Sequence, residues 1–127
     1  MSVLLSPTEA LTLIVNALIG SGTSPENVGY FSEAILDTEL SGLEGHGFYW
    51  LQYYCAHLCS GKVDGKAVPL VEAISDTSFR VNAQHGFAHP AIAAGFKRLI
   101  PAAEEHGVAA MGVYNSYNAA TLGFHTG

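Results

Sequence analysis

Apolar positions recur at helical spacing through the first part of the chain. Leu11, Ile14, Val15, Leu18 and Ile19 fall on one stripe, which predicts an amphipathic helix. Ser6-Pro7-Thr8-Glu9 supplies its start: a hydroxyl at the N-cap, proline at the first helical position and Glu at the third, the pattern of a capping box. Gly20 and Gly22 end it. Ser24-Pro25-Glu26 repeats the start signal, with Val28, Phe31, Ile35 and Leu36 as the apolar stripe and Gly42 as the stop. A third helix is expected from about Phe48 to Ser60, closed by Gly61. The period then changes. Gly61 to Pro69 is a polar connection with an Asp64-Gly65 turn signal. Leu70 to Ser75 and Ser78 to Asn82 read as short strands around an Asp76-Thr77 turn. His89-Pro90 opens a helix over 91–106, stopped by Gly107, and Val108 to Tyr114 reads as a buried strand. Asn115-Ser116 then caps a further helix or turn.

The expected fold class is therefore α/β: an N-terminal helical segment, 1–61, followed by the beginning of a mixed α/β domain, 62–127. The last predicted strand has little after it to cover it. The sheet is expected to continue in further polypeptide, as another chain or a missing segment.

Composition sharpens this picture. The 127 residues are 49% hydrophobic and 13% charged, which excludes a disordered chain. That much apolar surface is hard to hide in so small a domain, so the chain is expected to oligomerise or to pack against missing mass. Five basic residues stand against 11 acidic ones, a formal charge of −6. No Lys or Arg precedes Lys62, whereas Glu9, Glu26, Glu33, Asp37, Glu39 and Glu44 all do. Nucleic acid and anionic membrane surfaces are excluded as partners on this charge pattern. Asn16, Glu33 and Asp37 interrupt every candidate membrane span, and no basic segment marks a signal peptide. Cys55 and Cys59 make no disulfide framework, and a reducing cytoplasm is the expected compartment.

Candidate chemistry concentrates in a few places. Gly45-His46-Gly47 lies between two predicted helices, where flanking glycines leave an imidazole accessible for acid–base work. The same His can equally cap a neighbouring helix. Phe48, Tyr49, Trp50, Tyr53 and Tyr54 form an aromatic run, and Trp50, Tyr53 and Tyr54 share a helix face. That face reads as core or subunit interface, or as a wall for a ring. Cys55 and Cys59 read as buried thiols, since no further zinc ligands are in register. His85 and His89 are four apart, but Gly86 and Pro90 argue against one helix holding both, and no metal site is expected. The stretches 84–87 and 119–123 carry glycine but neither is G-x-G-x-x-G or a Walker A loop, so a Rossmann-type fold is not indicated.

Taken together, three segments resemble the malate/L-lactate dehydrogenase family that lacks a Rossmann fold. Gly42-Leu43-Glu44-Gly45-His46-Gly47 with Leu51, Tyr54, Leu58 and Gly61-Lys62-Val63 mirrors its G-x-x-S-H-G-x-x-R-L-P-x-Y and L-x-x-G-x-V patterns. Val81 to Ala91 mirrors V-D-x-x-x-G-F-x-x-x-A, and Gly107 to Gly123 mirrors the segment containing N-S-x-H. The resemblance implies a largely antiparallel sheet and an intertwined homodimer. It also implies an NAD- or NADP-dependent interconversion of a 2-oxo or cyclic 2-imino acid with its 2-hydroxy or 2-amino acid. It implies His46 as the proton donor and acceptor, Trp50, Asn118 and Gly86 against the substrate, and Ser116 and Thr121 against the cofactor. The chain departs from the pattern at Gly45 for Ser, Trp50 for Arg, Gln52 for Pro and Asn118 for His. Trp50 lacks the charge that grips a carboxylate, and Asn118 can hydrogen-bond but not shuttle a proton. An aromatic wall at Trp50 and Tyr53 suits a cyclic imino acid. The resemblance covers about the first third of such an enzyme, so a complementary C-terminal chain or segment is implied. The alternative is a non-catalytic dimerisation or assembly subunit derived from the family.

Overall fold

The computed structural model describes residues 3–43 and 45–126. Helices α1 (Pro7–Gly20), α2 (Pro25–Leu40) and α3 (Phe48–Cys59) come first. Strands β1 (Leu70–Ser75) and β2 (Ser78–Asn82), helix α4 (Ala88–His106), strand β3 (Ala110–Tyr114) and a short α5 (Gly123–Thr126) follow. The chain forms two compact units, a helical one of Met1–Gly65 with Ala120–Gly127 and a sheet unit of Lys66–Ala119.

In the helical unit the start signals act as their chemistry dictates. Ser6 Oγ accepts from Glu9 N at 3.3 Å while Glu9 Oε2 accepts from Ser6 N at 2.8 Å, so two orphan donors of α1 are satisfied reciprocally. Ser6 Oγ also donates to Glu9 Oε2 at 2.7 Å, and this bond first, then the one from Ser6 N, holds the Glu9 carboxyl below its ordinary 4.5. Ser24 caps α2 with a single bond, its Oγ accepting from Asn27 N at 3.3 Å. Ile14, Leu18, Phe31, Ala34, Ile35, Leu51, Tyr54 and Leu58 form the buried core, with Phe31 and Tyr54 edge-to-face at 4.8 Å. Leu11 and Val15 are half-buried, and Ile19, expected on the buried stripe, is exposed at the end of α1. The Asp64-Gly65 turn folds onto the α1–α2 corner, where Gly65 O accepts from Ser24 N at 3.0 Å and from Asn27 Nδ2 at 3.1 Å. Thr121, ahead of α5, shares a hydrogen bond with Thr38 of α2 (Oγ1–Oγ1 3.0 Å).

The sheet unit has the strand order β1-β2-β3. β1 and β2 are antiparallel, from Leu70↔Asn82 to Ser75↔Ser78, with an irregularity between Ala73 and Ser75. β2 and β3 are parallel, and α4 makes the crossover between them that parallel pairing requires. The sheet is thus mixed, with one pair of each kind. Val81, Ala83 and Ala91 form its buried core, backed by Met111 and Val113. Gly95 faces the sheet from α4: a Cβ there would stand 2.9 Å from Val81 Cγ2 and closer still to Met111 Sδ. The opposite face carries the Arg80–Glu72 pair, Nη2 to Oε2 2.7 Å, with the guanidinium 5.5 Å from the Tyr114 ring centroid.

Three expectations are corrected. The strand over 108–114 is not buried: it starts at Ala110 and its exposure alternates, because β3 lies at a sheet edge with only Met111 and Val113 toward the core. Helix α4 begins at Ala88 rather than 91, with Phe87 extended at its N-cap (φ −62°, ψ 146°). Pro90 is tolerated there because first-turn N–H groups have no intrahelical partner anyway. Asn115 caps no helix, since its φ of 50° is left-handed whereas an N-cap is extended. The apolar excess shows as exposed side chains, from Leu4 at the N-terminal arm to Leu70 and Ile74 of β1 and Val108 before β3. Among the described residues no helix is long and apolar enough to cross a membrane.

Candidate active site

The connection from α2 to α3 is drawn tight by its backbone. Ser41 N donates to Asp37 O at 2.9 Å, and Gly42 takes a left-handed φ of 72°. His46 N donates to Leu43 O at 2.8 Å, and Gly47, buried, is the N-cap of α3. His46 itself is exposed. Its two glycine neighbours differ in kind. A Cβ on Gly47 would collide with the Glu39 carboxylate and stand 3.1 Å from Glu39 Cα, so a side chain there displaces that carboxylate. A Cβ on Gly45 meets nothing within 4 Å, so packing does not account for the absence of a serine there. Glu44 lies outside the described residues.

Trp50 sits in the first turn of α3, its N–H donating to Gly47 O at 3.1 Å. The aromatic run divides. Tyr54 is core, 3% exposed, whereas Tyr49, Trp50 and Tyr53 are 57%, 36% and 40% exposed. Trp50 and Tyr53 have ring centroids 5.0 Å apart, and Tyr49 and Tyr53 5.9 Å. A hydrogen bond with Tyr49, then the charge of that neighbour, then burial hold the Tyr53 phenol above its ordinary 10.0. The result is an exposed aromatic surface on the helix that follows His46. The thiols are not buried as expected. Cys55 is half-buried, 3.6 Å from Ala17 O, and Cys59 is exposed. Among the described residues no group of three or more His, Cys, Asp or Glu side chains is placed to hold a metal.

In the sheet unit, the loops leaving the carboxyl ends of parallel strands β2 and β3 are stitched together. Asn82 Oδ1 accepts from Gln84 N at 3.0 Å and from Asn115 Nδ2 at 3.3 Å. His85 N donates to Asn115 O at 2.7 Å, and Tyr117 N to Gly86 O at 2.8 Å. Phe87 and Tyr117 meet edge-on at 5.7 Å, and burial pushes the Tyr117 phenol up. Gln84, His85 and Asn115 all have positive φ (56°, 63°, 50°). Non-glycine residues held there by surrounding bonds cluster at ligand sites, and open α/β sheets bind ligands at the carboxyl ends of their strands. The exposed Ser116 hydroxyl and Asn118 amide can both hydrogen-bond a polar ligand.

Of the residues singled out, Gly86, Ser116 and Asn118 therefore belong to one loop pair of the sheet unit. His46, Trp50 and Thr121 belong to the helical unit, where Thr121 is hydrogen-bonded to Thr38 of α2. His85 is in the loop and His89 is buried in α4, so no single helix carries both. Sequence reasoning misses Asn82 and Asn115 as the residues that tie the loops. The only signal is residue type, since Asn and His are enriched at left-handed positions.

Comparison with known proteins follows this geometry. Residues 5–127 match the family model described as malate/L-lactate dehydrogenase. A Δ1-pyrroline-2-carboxylate/Δ1-piperideine-2-carboxylate reductase of Pseudomonas syringae pv. tomato is 37% identical over 90% of this chain and 33% of its own length. A (2R)-3-sulfolactate dehydrogenase (NADP+) of Chromohalobacter salexigens is 39% identical over 97% of this chain and 37% of its own. The crystal structure of a Δ1-piperideine-2-carboxylate reductase from P. syringae superposes with a TM-score of 0.90 at 36% identity, over 95% of this chain and 36% of that one. A malate dehydrogenase from Entamoeba histolytica, 21% identical, shares the fold with a TM-score of 0.89. The chain thus spans about a third of the length of the relatives it matches.

Proposed function

The chain belongs to the malate/L-lactate dehydrogenase family, and from that premise we propose that it is the N-terminal part of an NAD(P)-dependent oxidoreductase. The observation that carries this reading is the superposition of nearly the whole chain on a piperideine-2-carboxylate reductase at 36% identity. The proposed reaction reduces a cyclic 2-imino or 2-oxo acid to the 2-amino or 2-hydroxy acid, or runs in reverse. The nicotinamide, when bound, supplies or accepts the hydride at the substrate's C2. His46 delivers the proton to the imine nitrogen or carbonyl oxygen and takes it back in the other direction. Its exposed, tightly turned position leaves the imidazole accessible for that role.

Trp50 and Tyr53 offer an exposed aromatic surface to the substrate ring, which favours a cyclic imino acid over an acyclic oxo acid. Gly86 and Asn118 are the proposed substrate contacts of the sheet unit. Ser116 fits a cofactor contact, with an exposed hydroxyl on a loop at the carboxyl end of β3. Thr121 is the second, although its hydroxyl already shares a bond with Thr38. The working form is proposed as a homodimer completed by a C-terminal chain or segment, in a cytoplasm where Cys55 and Cys59 stay thiols.

The test is made on the protein as isolated from its cell, with denaturing and native mass spectrometry first to identify every chain present. Oxidation of NADH and NADPH is then followed with Δ1-pyrroline-2-carboxylate, Δ1-piperideine-2-carboxylate and acyclic 2-oxo acids. The expected result is turnover that falls by about 10²–10⁴ in His46→Ala. Undiminished turnover in that variant ends the assignment of His46, and rates that strongly favour acyclic oxo acids end the cyclic one. A second reading, a non-catalytic assembly subunit, is favoured by the departures at Gly45, Trp50 and Asn118. It predicts no nicotinamide binding with every partner chain present.

A further inference from the structure

Glu39 is placed against the interests of its own helix. It stands in the last turn of α2 beside Asp37, with no basic residue in that turn. Negative charge at a helix C-terminus is disfavoured by the macrodipole. Its partner lies on the next helix: Glu39 Oε2 accepts the Phe48 N–H at 2.8 Å, in a partly buried bond. That N–H is one of the orphan donors of α3, whose N-cap, Gly47, has no side chain to satisfy it. The absence of a Cβ at Gly47 leaves the space that the Glu39 carboxylate occupies, and a side chain there would push the carboxylate out of it. Glu39 and Gly47 thus form a latch: the glycine admits the carboxylate, and the carboxylate caps the helix the glycine cannot cap. The latch fixes the backbone on the C-terminal side of His46, while the His46 N–H to Leu43 O bond fixes the other side.

We propose that Glu39 is the positioning residue for His46: by capping α3 across the α2–α3 connection it holds the imidazole's backbone in the working place. The proposal rests on the acid–base reading of His46 given above. A charged acceptor on a backbone N–H makes a short, strong bond, and misplacing a reacting group by about 1 Å can cost about 10²-fold in rate.

The experiment compares Glu39→Ala, Glu39→Gln and Glu39→Asp with His46→Ala and the double variant Glu39→Ala/His46→Ala, all in the complete enzyme. Rates are normalised to folded, cofactor-binding sites. Glu39→Ala is expected to lower kcat by roughly 10–10²-fold with cofactor KM within about 2-fold. Gln keeps an acceptor oxygen at the same reach and restores most of kcat. Asp keeps the charge but falls one methylene short, and behaves like Ala. In the His46→Ala background the Glu39 change costs nothing further, because residues that act as a unit are not additive. Where Glu39→Ala does not fold, the contrast between Gln and Asp decides. An unchanged kcat in Glu39→Ala, an Asp variant as active as Gln, or an additive loss in the double variant overturns the proposal while His46 stands. Full activity of His46→Ala overturns the reading beneath it.

Discussion

Gly65→Ala is expected to destabilise the helical unit, although Gly65 does not have the positive φ that demands glycine. A Cβ at this position would lie 2.8 Å from both Gly22 O and Thr23 Cα and 2.7 Å from Leu58 Cδ2. Two of those three atoms are backbone, so relief requires the turn to move away from the α1–α2 corner. Overpacking of this kind costs about 1–3 kcal/mol. The Gly65 carbonyl accepts from Ser24 N and Asn27 Nδ2, and weakening either bond adds roughly 0.5–1.5 kcal/mol. Against this stands about 0.4–1 kcal/mol gained by stiffening the unfolded chain. The balance is a loss of roughly 0.5–4 kcal/mol, at about 4 °C of Tm per kcal/mol for a domain of this size. Gly29→Ala is the control. It lies inside α2, a Cβ there meets nothing within 4 Å, and helix propensity favours the change by up to about 1 kcal/mol. Thermal and urea unfolding followed by circular dichroism compare the three proteins. A Gly65→Ala variant as stable as the parent, or more stable than Gly29→Ala, refutes the reasoning.

Two further outcomes follow from the same structure. The Glu9 carboxyl is held below 4.5 by Ser6, so its contribution to stability is present above that value and lost as pH falls through the lower folded one. Glu9→Gln should therefore flatten the fall in stability on acidification below about pH 5, read from Tm against pH, and an unchanged slope contradicts the assignment. Trp50→Arg restores a planar cation one turn after His46, and should lower KM for acyclic 2-oxo acids while raising it for cyclic imino acids; parallel changes for both classes contradict the aromatic-wall reading.

Most of the elements were legible because their signals are local. Ser6-Pro7-Thr8-Glu9 and Ser24-Pro25 set the helix starts chemically, and β1 and β2 fall on the expected spans. What was not legible depends on neighbours distant in sequence. The apolar run at Val108–Tyr114 reads as buried, but exposure depends on which strands flank β3. Tyr54 and Tyr53 are adjacent and alike, yet Tyr54 is buried, edge-on to Phe31 from another helix, while Tyr53 is exposed. Gly47 and Gly45 are the same residue one position either side of His46, but Glu39 closes on Gly47 and nothing closes on Gly45. The candidate site shows the same division. His46 and its loop stand out from the glycines alone, whereas the Asn82–Asn115 tie spans 33 positions and leaves no pattern in the sequence.

The central claim is hydride transfer at the substrate's C2 with a proton handled by His46. The most direct measurement uses the complete enzyme with NADH or NADPH deuterated at C4 and Δ1-piperideine-2-carboxylate as substrate. The account predicts product carrying deuterium at C2, a primary isotope effect on the chemical step, and formation slowed by about 10²–10⁴ in His46→Ala. Product without deuterium at C2, or product formed equally fast without His46, contradicts it.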